Sequence, residues 1–180
     1  RTSLTGAFED IICPSFVKQL DYEGELALVI GKKCRDVEIG KALEYVGGYF
    51  VLDDISSRDI QFIDKQYSRA KSFDSFGPCG PWVVTRDEIH DPNDLQLITK
   101  VNKEVRQSSS TSNLVLNIEK IVNSLSGVMT LEAGDIISTG TPSGTGLSMS
   151  SHLKYLQHGD IVEVEVEGIG KIRNKVKFVN

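Results

Sequence analysis

Two glutamates two residues apart, Glu23 and Glu25 in "DYEGEL", stand directly in front of the apolar run "LALVIG". On an extended strand residues i and i+2 point to the same side, so both carboxylates face one direction. Like charges that close raise each other's pKa unless a cation compensates them. A second acidic pair, Asp53 and Asp54, follows the apolar run "YFVL", and Arg58 and Gln61 come after it in "SSRDIQ". On or just before a helix, Asp54, Arg58 and Gln61 fall at i, i+4 and i+7 and share one face. If Glu23, Glu25 and Asp54 converge, they form an all-oxygen cluster suited to a hard cation such as Mg²⁺, with Mn²⁺ and Ca²⁺ as alternatives. Three protein ligands on an octahedral ion leave about three positions for water or substrate, the open arrangement that metal-assisted catalysis requires. No His–Cys grouping offers a zinc site. The local reading of the same residues is a solvated strand end whose glutamates pair with Lys32 or Lys33, and an Asp53 or Asp54 that helps cap the helix.

The elements that must position these groups follow from periodicity. "ELALVIG" (25–31) reads as an internal strand, with Leu26, Leu28 and Ile30 on one face and Glu25, Ala27 and Val29 on the other. "VEIGKALEYV" (37–46) reads as a short helix stopped by Gly47 and Gly48. "YFVL" (49–52) is a second buried strand, and Ser56 with Asp59 three residues on opens a helix running to about Tyr67. "FGPCGPW" (76–82) reads as a Gly- and Pro-rich loop. "WVVT", "LQLITKV" and the residues after Lys103 read as strands, the last two joined by a tight turn in which Asn102 takes positive φ. Residues 114–125 form an amphipathic helix, with Leu114, Ile118, Ile121, Val122 and Leu125 on one face. "GDIIST" is a strand, "GTPSGTG" (140–146) a loop, and the chain closes as a hairpin with Gly168 and Gly170 near its turn. Strands outnumber helices and lack βαβ rhythm, so the fold class is α+β. "GTPSGTG" has no following Lys-Ser/Thr and is not a phosphate-binding loop; its glycines let backbone approach a ligand.

The chain of 180 residues is enough for one domain with a real core. Its net charge of −5 argues against nucleic acid or an anionic membrane as partner, since both select clustered positive charge. No apolar stretch approaches the roughly 20 residues that span a bilayer. The three cysteines, Cys13, Cys34 and Cys79, form no CxxC pair, which fits buried, reduced thiols and a cytoplasmic protein. His90 and His158 read as surface loop residues.

Five blocks, "DYEGELALVIGK", "YVGGYFVLDDISSRDIQ", "AKSFDSFGPCGPWVVT", "VNKEVRQ" and "GDIISTGTPSGTG", occur in an order that resembles the catalytic domain of the fumarylacetoacetate hydrolase family. The resemblance covers nearly the whole chain and implies one catalytic domain over residues 1–180, of layered mixed β-sheets with a few short helices, in a homodimer. It implies that Glu23, Glu25 and Asp54 hold the metal. It places Arg58, Gln61 and Thr141 against the substrate, and Lys71, in "AKSFD", beside the metal as a catalytic lysine. Asp54 is preferred to Asp53 because its count to Arg58 matches the family. Members hydrolyse C–C bonds in acylpyruvates and β-diketo acids, or isomerise, decarboxylate or tautomerise related 2-oxo acids. A 2-oxo acid chelates such an ion through its carboxylate and keto oxygens, and the ion stabilises the enolate formed when a C–C bond breaks or a proton leaves.

The sequence departs from the family's pattern in places. Lys103 replaces a common Gly in the turn and Thr145 a common Val. The His–Glu pair with which hydrolytic members activate water belongs to an upstream segment, so the resemblance places that base outside these residues or leaves it unused. The expected function is therefore metal-dependent enolate chemistry on a 2-oxo acid or acylpyruvate-like diacid. Its rivals are an oxaloacetate-type tautomerase or decarboxylase, and a catalytically silent metal-binding dimer module.

Overall fold

Two five-stranded sheets face one another across a shared core. A computed structural model describes residues 2–148 and 154–180. The strands are β1 (Leu4–Gly6), β2 (Ile11–Pro14), β3 (Leu20–Asp21), β4 (Gly24–Ile30), β5 (Val46–Asp53), β6 (Ser56–Ser57), β7 (Gly77–Thr85), β8 (Gln96–Val101), β9 (Glu104–Ser110), β10 (Ile136–Ser138), β11 (Ile161–Val166) and β12 (Gly170–Val179). The α-helices are α1 (Arg58–Asp64) and α2 (Ile118–Val128). One sheet has the order β1-β7-β5-β4-β10, the other β2-β12-β11-β8-β9, and β3 and β6 form a small antiparallel pair. Both large sheets are mixed, because β1 runs parallel to β7 and β2 parallel to β12. The architecture is α+β.

The strand β4 shows why the pairing is stable. Leu26, Leu28 and Ile30 enter the main core with Val162, Val164 and Ile172 of the opposite sheet, while Ala27 packs with Phe50 and Leu52 on the other face. Each such fully buried aliphatic or aromatic side chain contributes about 1.5–3 kcal/mol. The register then places the acidic residues together. β4 and β5 are antiparallel with Gly24 opposite Asp53, so the start of one strand meets the end of the other. The Asp54 N–H donates to the Glu23 carbonyl at 2.9 Å and extends that pairing past the strand end.

Several local expectations are corrected. Residues Ile39–Tyr45 form 3₁₀ turns rather than an α-helix, with Ala42 buried and Ile39 exposed. Gly47 and Gly48 do not stop a helix; they lie inside β5. A Cβ on Gly47 would stand 3.0 Å from the Gly31 Cα, and one on Gly48 would stand 2.4 Å from the Val84 carbonyl oxygen, so close backbone packing explains both glycines. Residues 77–82, read as loop, belong to β7, which pairs with both β1 and β5. Ser56 opens no helix: it lies in β6, and α1 runs from Arg58 only to Asp64, ending at Lys65 with φ 54°. The amphipathic helix begins at Ile118, not Leu114, because the Asn117 side chain accepts from the Lys120 N–H and caps it there. In the β8–β9 turn Lys103 takes φ 73° beside Asn102 at 49°. The strands β1, β2 and β3 carried too few residues to be read from pattern.

Candidate metal centre

One carboxylate oxygen from each of Glu23, Glu25 and Asp54 lies within 4.8 Å of the others. Glu25 is buried, and Glu23 and Asp54 are partly buried. Glu23 stands one residue before β4 and Glu25 is its second residue, so the i and i+2 pair straddles the start of the strand and both carboxylates reach the cluster. Hydrogen bonds fix Glu23 there: its N–H donates to Asp53 Oδ1 at 2.8 Å and its carbonyl accepts from Asp54. Helical spacing likewise does not link Asp54 to Arg58, because α1 starts at Arg58. Neither Lys32 nor Lys33 reaches the cluster; Lys33 pairs with Glu132 and Lys32 lies over the Tyr45 ring.

Two other cations do reach it. Lys71 Nζ donates to Glu23 Oε2 at 2.6 Å and to Asp54 Oδ2 at 2.5 Å. Arg58 donates from Nη2 to Glu23 Oε1 at 2.5 Å, from Nε to Asp21 Oδ2 at 2.9 Å and from Nη1 to Gln61 Oε1 at 2.9 Å. The guanidinium is buried, and each of its nitrogens has a protein partner. Gln61 thus joins the centre through Arg58. Burial works against the Lys71 ammonium, but Asp54 and Glu23 outweigh it and its pKa is raised. Burial also opposes the Arg58 charge, and Glu23 and Asp21 again raise its pKa. For Asp54 burial dominates and raises the pKa against the pull of Lys71.

Glu25 is held differently. Its Oε2 accepts from the Ser138 hydroxyl and, at 2.9 Å, from the Gly140 N–H. Burial pushes its pKa up to about 7, only partly offset by Ser138. Asp53, also fully buried, is pushed up by burial to about 8. Its Oδ2 has no hydrogen-bond partner among the described residues.

Asp21 and Gln107 were not singled out from the sequence, yet they organise the centre. Asp21 is fully buried and accepts from Arg58, from its neighbour Tyr22, and from the Gly146 and Leu147 N–H groups at 2.6 and 3.1 Å. It thereby ties the 140–147 stretch to Arg58. Gln107 accepts from the Gly24 N–H at 3.0 Å and donates to Thr141 Oγ1 at 2.8 Å, and Thr141 donates to the Gly24 carbonyl at 3.0 Å. Thr141 is therefore placed beneath the acidic centre, braced against the peptide between the two glutamates. A cleft of about 630 Å³ opens beyond it, lined by Leu26, Leu97, Leu114, Ile121 and the 139–143 stretch. Alternate strand residues point to opposite faces, so the cleft lies on the Leu26 side of β4 and the Glu25 carboxylate on the other. His90 and His158 are exposed and remote from these contacts, and His152 lies outside the described residues. Cys13 and Cys34 are buried and Cys79 is partly buried, all as free thiols.

The donor set fits a hard cation. The three convergent groups are all carboxylates, without His or Cys. Arg58 pairs with Asp21 and Glu23, and Lys71 with Glu23 and Asp54, while Glu25 meets neutral donors among the described residues, so a dication would find an uncompensated carboxyl group in the cluster. Oxygens on one ion are separated by at most twice the metal–oxygen distance, about 4.2 Å for Mg²⁺ and about 5 Å for Ca²⁺. A spread bounded at 4.8 Å admits the larger ion directly and the smaller after closing by a few tenths of an ångström.

Residues 1–177 match the fumarylacetoacetate (FAA) hydrolase C-terminal domain. The chain belongs to the fumarylacetoacetate hydrolase family. A protein from Archaeoglobus fulgidus is 46% identical over 173 residues, which cover 96% of this chain and 65% of that protein. A putative hydrolase from Burkholderia multivorans is 41% identical, covering 94% of this chain and 61% of its own. The solved structure of a fumarylacetoacetate hydrolase from Exiguobacterium antarcticum superposes with a TM-score of 0.94 at 46% identity, covering 99% of this chain and 64% of that one. A 2-hydroxyhepta-2,4-diene-1,7-dioate isomerase from Mycobacterium marinum superposes at 0.90 with 41% identity, covering 98% and 66%. The chain thus spans about two thirds of the length of the relatives it matches.

Proposed function

We propose that the protein is a divalent-metal-dependent enzyme acting on a 2-oxo acid or acylpyruvate-like diacid, by C–C bond hydrolysis or by isomerisation of the 2-hydroxyhepta-2,4-diene-1,7-dioate type. The observation that carries this reading is the convergence of Glu23, Glu25 and Asp54 beside two cationic side chains in a chain of this family. A divalent ion, Mg²⁺ by preference, would be held by those three carboxylates and supplies, when bound, Lewis-acid stabilisation of negative charge on a keto or enolate oxygen.

The chain's own residues do the rest. Lys71 brings a positive charge, and an ammonium proton, to the edge of the cluster from which substrate oxygens approach. Arg58 holds Glu23 in place while anchored on Asp21, and Gln61 steadies the guanidinium. Thr141 and Gln107 keep the Gly24 peptide fixed, so that Glu23 and Glu25 present their oxygens at a constant separation. A homodimer belongs to the proposal; exposed Phe62, Ile63 and Tyr67, on α1 and just after it, supply apolar surface for one. The free thiols fit a cytoplasmic setting.

Assay of the purified protein on acetylpyruvate, oxaloacetate and 2-hydroxyhepta-2,4-diene-1,7-dioate, with and without Mg²⁺, tests the reading. Turnover of one substrate that vanishes on chelation and in the Glu23→Gln, Glu25→Gln double variant is expected. Turnover that survives both removes the metal mechanism, and preference for oxaloacetate moves the assignment to a tautomerase or decarboxylase.

A further inference from the structure

We infer that Asp53 is a positioning residue of the metal centre: it stays outside the three convergent carboxylates and sets where Glu23 presents its own. This rests on the metal reading proposed above. Asp53 and Asp54 are neighbours in the chain, yet among the described residues Asp54 belongs to the convergent group and Asp53 does not. Asp53 is the last residue of β5, stands opposite Gly24 of β4 and is only 1% exposed. Opposite residues of an antiparallel pair put their side chains on the same face, and neighbours along a strand alternate. The Asp53 side chain therefore shares the Leu26 face of β4, away from the Glu25 carboxylate.

Its work rests on one bond. Glu23 stands one residue before β4, and its N–H donates to Asp53 Oδ1 at 2.8 Å, a side chain doing there what the strand ladder does further on. The Glu23 carbonyl accepts from the Asp54 N–H at 2.9 Å. The side chain of one aspartate and the backbone of the next thus hold Glu23 on both sides of its Cα, while Arg58 and Lys71 hold its carboxylate. The second Asp53 oxygen, Oδ2, is buried and has no hydrogen-bond partner among the described residues. A buried polar atom left unpaired costs stability, so Asp53 is a poor choice for the core alone. Its one strong bond goes to the main chain of a convergent glutamate, which assigns it to the centre. That bond needs a single acceptor oxygen, and an asparagine side chain offers one in the same shape.

Calorimetric titration of chelator-stripped protein with Mn²⁺ tests the assignment. Asp53→Leu, which removes the acceptor, is expected to bind Mn²⁺ about tenfold more weakly than wild type, the lower end of what loss of a ligand-orienting partner costs. Asp53→Asn, which keeps the acceptor and removes the charge, is expected to bind as tightly as wild type. Wild-type affinity in Asp53→Leu overturns the assignment and leaves the metal reading standing. Equal weakening in Asp53→Asn and Asp53→Leu also overturns it, because the charge of Asp53 and not its bond to Glu23 would then set the affinity. Absence of Mn²⁺ binding in wild type overturns the assignment and the metal reading together. If Asp53→Leu does not fold, amide hydrogen exchange of wild type by NMR decides. A bond that favours the ion is favoured by it in return, so Mg²⁺ is expected to slow exchange of the Glu23 N–H at least about threefold more than it slows the amides of β11. An equal or smaller slowing at Glu23 overturns the assignment.

Discussion

The two sides of the acidic centre solve the same problem differently. On the Glu23–Asp54 side each carboxylate meets an ammonium or guanidinium at 2.5–2.6 Å. On the Glu25 side the donors among the described residues are neutral, a hydroxyl and a peptide N–H. Neutral donors satisfy lone pairs but supply no counter-charge, and Glu25 keeps its proton up to about pH 7. Burial raises the pKa of both Glu25 and Asp54; at Asp54 the Lys71 charge works against that rise, and at Glu25 the Ser138 hydroxyl does. One side already holds its cations in the protein itself, and the other meets neutral donors among the described residues.

The comparison breaks most visibly at Arg58. Replacing it, as Arg58→Met, leaves Asp21 buried without a counter-charge, and unfolding in urea is expected to show a loss of about 3–5 kcal/mol. A loss under about 1 kcal/mol would mean that the guanidinium is not what stabilises that side.

Glu25 gives the next largest effect, and it depends on pH. The folded chain binds its proton up to about pH 7 against an ordinary value of 4.5. Over that window the folded state carries more protons than the unfolded one, so stability falls as pH rises through it. In chelator, Glu25→Gln is therefore expected to be more stable than wild type by about 3 kcal/mol at pH 8, and by less than about 1 kcal/mol at pH 5. Thermal melts of both proteins across that range measure the difference; a gap independent of pH contradicts the uncompensated burial of Glu25.

Ser138→Ala sharpens the same side more gently. It removes one of two neutral donors from Glu25 and is expected to cost about 1 kcal/mol at neutral pH. Its larger signature is a further upward move of the Glu25 titration, visible by carboxyl-carbon NMR.

The sequence carried the strands whose two faces are both apolar, such as β4, because burial on both sides leaves an unbroken apolar run. It also carried the closing hairpin and the identities of the three convergent carboxylates. It misplaced Gly47, Gly48 and residues 77–82, because glycine and proline read as breakers when no partner strand is in view. Here the glycines mark where Gly31 and the Val84 carbonyl come too near for a Cβ. Asp21 and Gln107 escaped notice for a related reason. Each acts through partners more than 30 residues away, Arg58 and Gly146 for one and Gly24 and Thr141 for the other, and no local spacing records that. The resemblance supplied roles for Lys71 and Thr141 but not their contacts.

The bracket that Gln107 and Thr141 make around the Gly24 peptide has a mechanical consequence. Gly24 is gripped at its N–H by a strand of the far sheet and at its carbonyl by the stretch that follows β10, so two successive amide planes are held. Sliding the sheets past each other would drag the spacer between the glutamates along with them. Adjustment to an incoming ion or ligand therefore falls to the peripheral arm, α1 and the turn bearing Lys71, while the sheets act as a fixed anvil.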